Sequence, residues 1–274
     1  MIKKLTLLPA SIVLASCTVV TATAPVSAEF ESNADKITLE APVWRATDSG
    51  FNMPIGNYRC DNADVSWSHA SKDLVGEQAL GRTYYDWMNS DRTWRIVQTY
   101  NVDRSQNYGF DLLNGSRLVS QTKCAIFSRS KENKYIESDS EQRPLEGQER
   151  RRETFLACVI NHQSSKWELT LAVDVYGKMS AALRSESGEF TLEELGNTVF
   201  LDESGKQLEI PNTMQENKSG LKFLQGSEQV AAVSFAGNST FWVRKNQSAA
   251  TDELLYSANF ALTMFNWIDA EWRQ

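Results

Sequence analysis

The sequence predicts a mainly β protein, an antiparallel sandwich or curved sheet with a C-terminal helix packed on it. Three observations carry that reading. Apolar and polar residues alternate with period two in several segments, turn-forming pairs separate those segments, and one long apolar run with helix-start signals closes the chain.

The clearest strand is 167–175. Trp167, Leu169, Leu171, Val173 and Val175 face one way, and Glu168, Thr170, Ala172 and Asp174 face the other. One face in a core and one in water gives that alternation. Tyr176-Gly177-Lys178 then turns the chain, and 179–185 runs back with Met179, Ala181 and Leu183 inward. Residues 94–100, 229–235 and 240–244 read as further strands, with Ala236-Gly237-Asn238 as the turn between the last two. Residues 43–47, 64–68, 108–113 and 198–201 carry weaker strand patterns. Asn114-Gly115 marks a hairpin between 108–113 and 117–127. Two segments depart from the β pattern. Residues 71–89 read as one helix, weakened by Gly76 and Gly81. At the C-terminus, Thr251 or Ser248 caps a helix running to about Glu271. Its polar stripe is narrow (Asp252, Asn259, Thr263 and Asn266), and apolar side chains cover the rest. A helix that apolar is expected to cover a sheet, with a partner or oligomer interface as the alternative.

The N-terminus carries an address. Lys3 and Lys4 precede an uncharged apolar stretch from Leu5 to Val20, the pattern of a secretory signal. The stretch is too short for a comfortable membrane span. Two cleavage points compete. Val26-Ser27-Ala28 suits signal-peptidase cleavage before Glu29, which makes residues 1–28 the signal. Leu14-Ala15-Ser16-Cys17 resembles the lipobox of bacterial lipoproteins. That resemblance implies a signal over 1–16, lipid on Cys17, and a flexible tether over 17–36 rich in Thr, Ala, Val and Ser. On either reading, 37–274 is expected to be a single mainly β domain. Export places the protein in the periplasm or on the outer membrane through its lipid, or alternatively outside the cell.

Either cut removes two lysines and no acid, leaving 26 basic against 35 acidic residues, a net charge of −9. That balance argues against a nucleic-acid partner and against docking on anionic lipid, so membrane contact is expected only through the N-terminal lipid. About 240 residues suffice for one sizeable core.

Besides Cys17, the cysteines are Cys60, Cys124 and Cys158. An oxidising compartment favours a disulfide. If 116–127 and 154–162 form an antiparallel hairpin, Cys124 and Cys158 are symmetric about residue 141 and lie opposite one another. Leu118 and Ile126 share a face with Cys124, and Leu156 and Ile160 with Cys158. The spacing predicts a Cys124–Cys158 bridge; Cys60 pairing with either, or three buried thiols, are the alternatives. The intervening 128–153 holds fourteen charged residues in 26 and reads as a solvated loop, with Arg150-Arg151-Arg152 as its tip.

No sequence motif specifies a reaction. The two histidines, His69 and His162, stand in no His-Glu-x-x-His, no Cys-x-x-Cys accompanies them, and there is no Gly-x-Ser-x-Gly, so no metal is expected and each histidine reads as structural. No glycine loop cradles phosphate and no dinucleotide fingerprint is present, so no cofactor is expected. Carboxylates such as Asp86, Asp91 and Glu168 show no spacing that singles out an acid–base pair. The candidate ligand-binding residues are aromatic: Tyr84, Tyr85, Trp87 and Trp94, interleaved with Asp86, Asn89, Asp91, Arg92 and Arg95. Such a cluster suits a sugar or peptide, and core packing explains it as well. The functional expectation is an exported, non-enzymatic envelope lipoprotein or periplasmic binding or assembly module. Its partner would be an envelope protein or a glycan. The alternatives are a hydrolase acting on glycan or peptide and an immunity-type toxin inhibitor.

Overall fold

The computed structural model describes residues 21–42, 50–80, 95–137, 149–202, 204–208, 219–237 and 239–272. The N-terminal segment forms β1 (Thr21–Thr23), a short helix α1 (Ala28–Ser32) and β2 (Ala34–Leu39). Then come β3 (Phe51–Ile55), β4 (Tyr58–Val65) and β5 (His69–Leu80). Three long strands follow, β6 (Arg95–Asn114), β7 (Arg117–Glu137) and β8 (Glu149–His162). Shorter ones are β9 (Ser165–Val173), β10 (Met179–Ser185), β11 (Gly188–Glu194), β12 (Val199–Leu201), β13 (Gly220–Gln225), β14 (Glu228–Ser234) and β15 (Ser239–Arg244). The chain's long helix, α2, spans Ala249–Trp272.

Among the described residues, thirteen strands form one antiparallel sheet in the order β2-β15-β14-β13-β11-β10-β9-β8-β7-β6-β4-β3, with β5 also on the free side of β6. The expected mainly β class with a packed C-terminal helix is what the structure has. The sheet curls around α2 until its ends nearly meet. At the β3–β4 turn, Gly56 adopts φ +60°, and a Cβ there would come within 3.3 Å of Ile37 on β2 and 3.1 Å of the Tyr256 hydroxyl on α2. Glycine therefore permits both the turn and the approach of the two sheet ends. Tyr256 packs on both ends, with ring centroids 4.6 Å from Tyr58 on β4 and 5.6 Å from Phe241 on β15.

Alternation along each strand supplies the lining that α2 needs. Tyr108, Phe110 and Leu112 of β6, Ile126 of β7, Leu156 and Ile160 of β8, and Leu169 and Leu171 of β9 all turn inward and are buried. Phe260 meets Phe110 edge-on at 4.8 Å, and the Tyr108 hydroxyl donates to the Ala261 carbonyl at 2.7 Å. Seventeen residues of α2 are buried, which a helix reaches only when surrounded. Ser248 caps its start, its hydroxyl accepting from the Thr251 amide at 3.1 Å. Of the expected polar stripe, Asp252 and Asn266 stay partly exposed, and its middle does not meet water. Asn259 and Thr263 are fully buried and donate to the carbonyls four residues back, Leu255 and Asn259.

The Cys124–Cys158 disulfide forms, between residues directly opposite in the β7–β8 ladder with Cα atoms 4.0 Å apart. Closing that loop stabilises the fold by about 2–4 kcal/mol. Cys60 is a buried free thiol, which removes the alternative pairings, and burial pushes its pKa well up.

Four expectations are corrected. First, 71–89 is not a helix where described. His69–Leu80 is β5, laddered onto β6 from His69↔Ser105 to Leu80↔Arg95, so pairing across the sheet overrides a local helical pattern. Second, 128–153 is not one loop. β7 continues to Glu137 and β8 starts at Glu149, because the charges pair across strands while small polar residues turn inward. Arg129 forks onto Asp103 at 2.9 Å, Glu132 receives Lys72 at 2.6 Å, and Ser128 and Ser130 are buried. Third, the described part of 17–36 is no tether, since β1, α1 and the start of β2 lie in it. Fourth, the β4 strand occupies Tyr58–Val65 rather than 64–68. The strand expected at 43–47 lies outside the described residues. Among the described residues no helix is long and apolar enough to cross a membrane.

Replacing Tyr256 with alanine is expected to lower stability by about 3–5 kcal/mol, as for other large aromatic truncations in a core. Denaturant unfolding followed by tryptophan emission reads the loss. A change below about 1 kcal/mol would show that the sheet ends hold without it.

Candidate functional site

Three features stand out once the helix fills the sheet's concave side. The first is a buried charge cluster where α2 begins. Glu253 is 2% exposed, yet its carboxylate receives the Arg117 guanidinium from β7 and His162 Nε2 from β8, the latter at 3.1 Å. Strand register puts Arg117 and His162 beside each other: β7 starts at Arg117, and His162 pairs with Ser120 at the end of β8. Below them the Ser120 and Ser257 hydroxyls are 2.6 Å apart, and Ser257 donates to the Glu253 carbonyl at 2.8 Å. Burial pushes the Glu253 carboxyl upward. The bonds from Arg117 and His162 outweigh it and hold the group below its ordinary 4.5. An ionised Glu253 makes His162 Nε2 the donor, which orients the ring. His162 also borders a cleft of about 300 Å³ with Ser165, Trp167, Phe190, Gln225 and Thr251. Nearby, burial and the Glu253 and Asp252 charges push the Tyr58 hydroxyl up to about 12.

The second feature closes the opposite end of α2. Arg152 and Asp269 form an ion pair at 2.8 Å with side chains 11% and 4% exposed, and Arg152 lies over the Trp272 ring at 5.4 Å. Arg104 donates to the Trp272 carbonyl at 2.7 Å, and Trp272 Nε1 donates to Gln106 at 3.1 Å. Arg152 is thus no loop tip: it belongs to β8 and anchors the helix end. The polar groups at both helix ends are held by charge from the sheet, which gives α2 one depth and one rotation in its sleeve.

The third feature lies on the outer face. An open groove of about 660 Å³ crosses β6, β7 and β8 beside β4, floored by Gly109, Ala125, Ala157 and Val159.

The expected ligand cluster, Tyr84, Tyr85, Trp87 and Trp94, lies outside the described residues, as do Cys17, Asp86 and Asp91. Glu168 is exposed on β9, where Lys166 approaches it at 3.1 Å. His69 is exposed at the start of β5, three strands from His162 and in the register row of Phe155, not of His162. Glu253, Arg117 and Asp269 escaped the sequence reading. The one available signal was a carboxylate at each end of an otherwise apolar helix. Among the described residues no group of three or more His, Cys, Asp or Glu could hold a metal ion. Compared with known proteins, the chain matches no family model, no curated protein and no solved structure.

Because Glu253 is held below 4.5, it adds stability above its unfolded pKa that is lost as pH falls through the lower folded value. Stability of the protein should therefore drop on acidification below about 4.5. In Glu253→Gln, that part of the drop disappears while stability at neutral pH is lower. Thermal melts between pH 3 and 7 test this, and parallel profiles for the two proteins would refute it.

Proposed function

We propose that this is an exported envelope lipoprotein that acts as a binding module, anchored through Cys17 and held close to the membrane. The observation that carries the reading is the N-terminal segment. Thr21–Thr23 pair with Val199–Leu201, and Ala24, Phe30 and Ala34 pack on Ala232 and Trp242. This segment covers the outer face of β14 and β15, whose inner face already lies on α2. Both faces of Val230–Ser234 and Ser239–Val243 are therefore buried. Gly237, at φ +59°, lets the Ala22 carbonyl approach to where a Cβ would stand only 2.5 Å away.

Cleavage before Glu29 would discard β1, Ala24 and the Ser27 side chain that caps α1, and would uncover Ala232 and Trp242. Cleavage before Cys17 keeps all of them. This packing of residues 21–28 supports the lipobox cut over the ordinary one. Only residues 18–20 then separate the acylated cysteine from β1, a reach of at most about 14 Å. The domain would sit against the bilayer by its β1–β12 end instead of ranging on a long tether. A disulfide between Cys124 and Cys158 supports export to an oxidising compartment.

Mass spectrometry of the mature protein tests the proposal. The expected N-terminus is an acylated Cys17, and Cys17→Ser should move the protein from the membrane to the soluble fraction. A free Glu29 N-terminus, or an intact Met1 in cytosol, overturns it.

A hydrolase is the second reading, favoured by His162 on its cleft with a buried carboxylate behind it, an arrangement that can orient a general base. His162→Gln would then abolish turnover of glycan or peptide substrates with near-UV circular dichroism unchanged. A wild-type protein without turnover on either substrate class removes this reading.

A further inference from the structure

We infer that the outer-face groove is a binding site for an uncharged oligosaccharide, an inference that rests on the binding-module reading and supplies its ligand. The groove runs across strands, not along them. On β6, β7 and β8 the outward residues line up as Asn107↔Ala125↔Ala157 and Gly109↔Lys123↔Val159. Gly109, Ala125, Ala157 and Val159 make a low apolar floor within these rows, and Asn107 and Lys123 add one amide and one ammonium group beside it. Gly109 deepens it: a Cβ there would come 3.0 Å from the Thr122 carbonyl.

Aromatic side chains stand next to one margin. Phe127 and Phe155, opposite one another two residues further along β7 and β8, pair at 6.4 Å, with Phe155 43% exposed. At the β4 end of the same margin Ser66 lines the groove, and the next residue, Trp67, is 76% exposed. An exposed tryptophan at such a margin is unusual for a surface whose other large apolar side chains are mostly covered.

The rim is rich in amides and carboxylates. Asn62, held at φ 50° by the irregular pairing of β4, donates to one Asp111 oxygen at 3.0 Å, and Gln121 donates to the other at 3.1 Å. Those bonds fix the carboxylate in place on the rim, where its remaining lone pairs can accept from hydroxyls.

Charge and backbone geometry select the ligand class. Asp64 and Asp111 line the groove with a single cation, Lys123, on a chain of net charge −7, so an anionic polymer is disfavoured. The backbones of β6, β7 and β8 are each paired on both sides along the groove, so no edge is open there to an added peptide strand. Recognition must come from side chains. A low floor of Gly, Ala and Val, one aromatic margin, and amide and carboxylate groups on the rim match a ligand with C–H faces and hydroxyl edges. From β4 to β8 the groove spans three strand spacings, roughly 14 Å, the length of a short oligosaccharide.

Isothermal titration calorimetry of the purified mature protein with chitotetraose and with maltotetraose tests the inference. At least one should bind with a Kd in the micromolar to low millimolar range. Ala157→Arg, which fills the floor, should weaken it at least tenfold, and Trp67→Ala several-fold. Ala182→Arg, on the outer face of β10, should leave it unchanged. Failure of both sugars to bind at millimolar concentration overturns the inference, and so does full affinity in the Ala157→Arg protein. Neither result depends on how the N-terminus is processed, so the anchoring proposal and the sugar site fail separately.

Discussion

The interaction on which the rest of the structure depends is the burial of α2 inside the curled sheet. A sheet of this size has one apolar face that must be covered, and a helix as apolar as α2 cannot face water; each element resolves the other's exposure. Side chains such as Phe260, Leu255 and Leu262, fully buried, each contribute about 1.5–3 kcal/mol by leaving water. That same burial dictates the charge pattern. Glu253 and Asp269 sit near the two ends of α2, and the sheet meets them with Arg117 and His162 at one end and Arg152 at the other. Shifting the helix by one turn would leave both carboxylates buried without partners, which is costly enough to specify register.

Filling the concave side with protein decides where open clefts can form. The interior that a curled sheet would otherwise offer to a ligand is occupied by Phe223, Phe241, Phe260 and their neighbours. Open concavities therefore lie on the outer face and at the end beside His162. The outer face is not uniform: β14 and β15 are capped by the N-terminal segment, whereas β6, β7 and β8 present the groove. The two halves of the sheet thus differ, one covered by the N-terminal segment and the other open.

Much of this architecture was legible in the residues. Met179–Ser185 is a strand with the bounds its alternation gives, and Trp167, Leu169 and Leu171 face inward as their spacing requires. The Cys124–Cys158 bridge followed from symmetry about residue 141, because an antiparallel ladder pairs residues whose numbers sum to a constant. The misread segments share a cause. β5, the ends of β7 and β8, and the N-terminal segment are polar, small or charged, and their strand state comes from partners distant in sequence. Lys72 with Glu132, Arg129 with Asp103 and Thr21–Thr23 with Val199–Leu201 are invisible to a local window.

What the sequence determined by itself was the class of fold, the C-terminal helix and the disulfide, since each is written in periodicity and spacing along one stretch or one hairpin. What the tertiary structure alone decided was which residues meet: Glu253 with Arg117 and His162, Trp242 with Ala24 and Phe30, Asn107 with Ala125 and Ala157 across three strands. Those meetings depend on how far the sheet curls and where the helix comes to rest inside it. That balance is struck by the packing of the whole core, and no short segment of the chain encodes it.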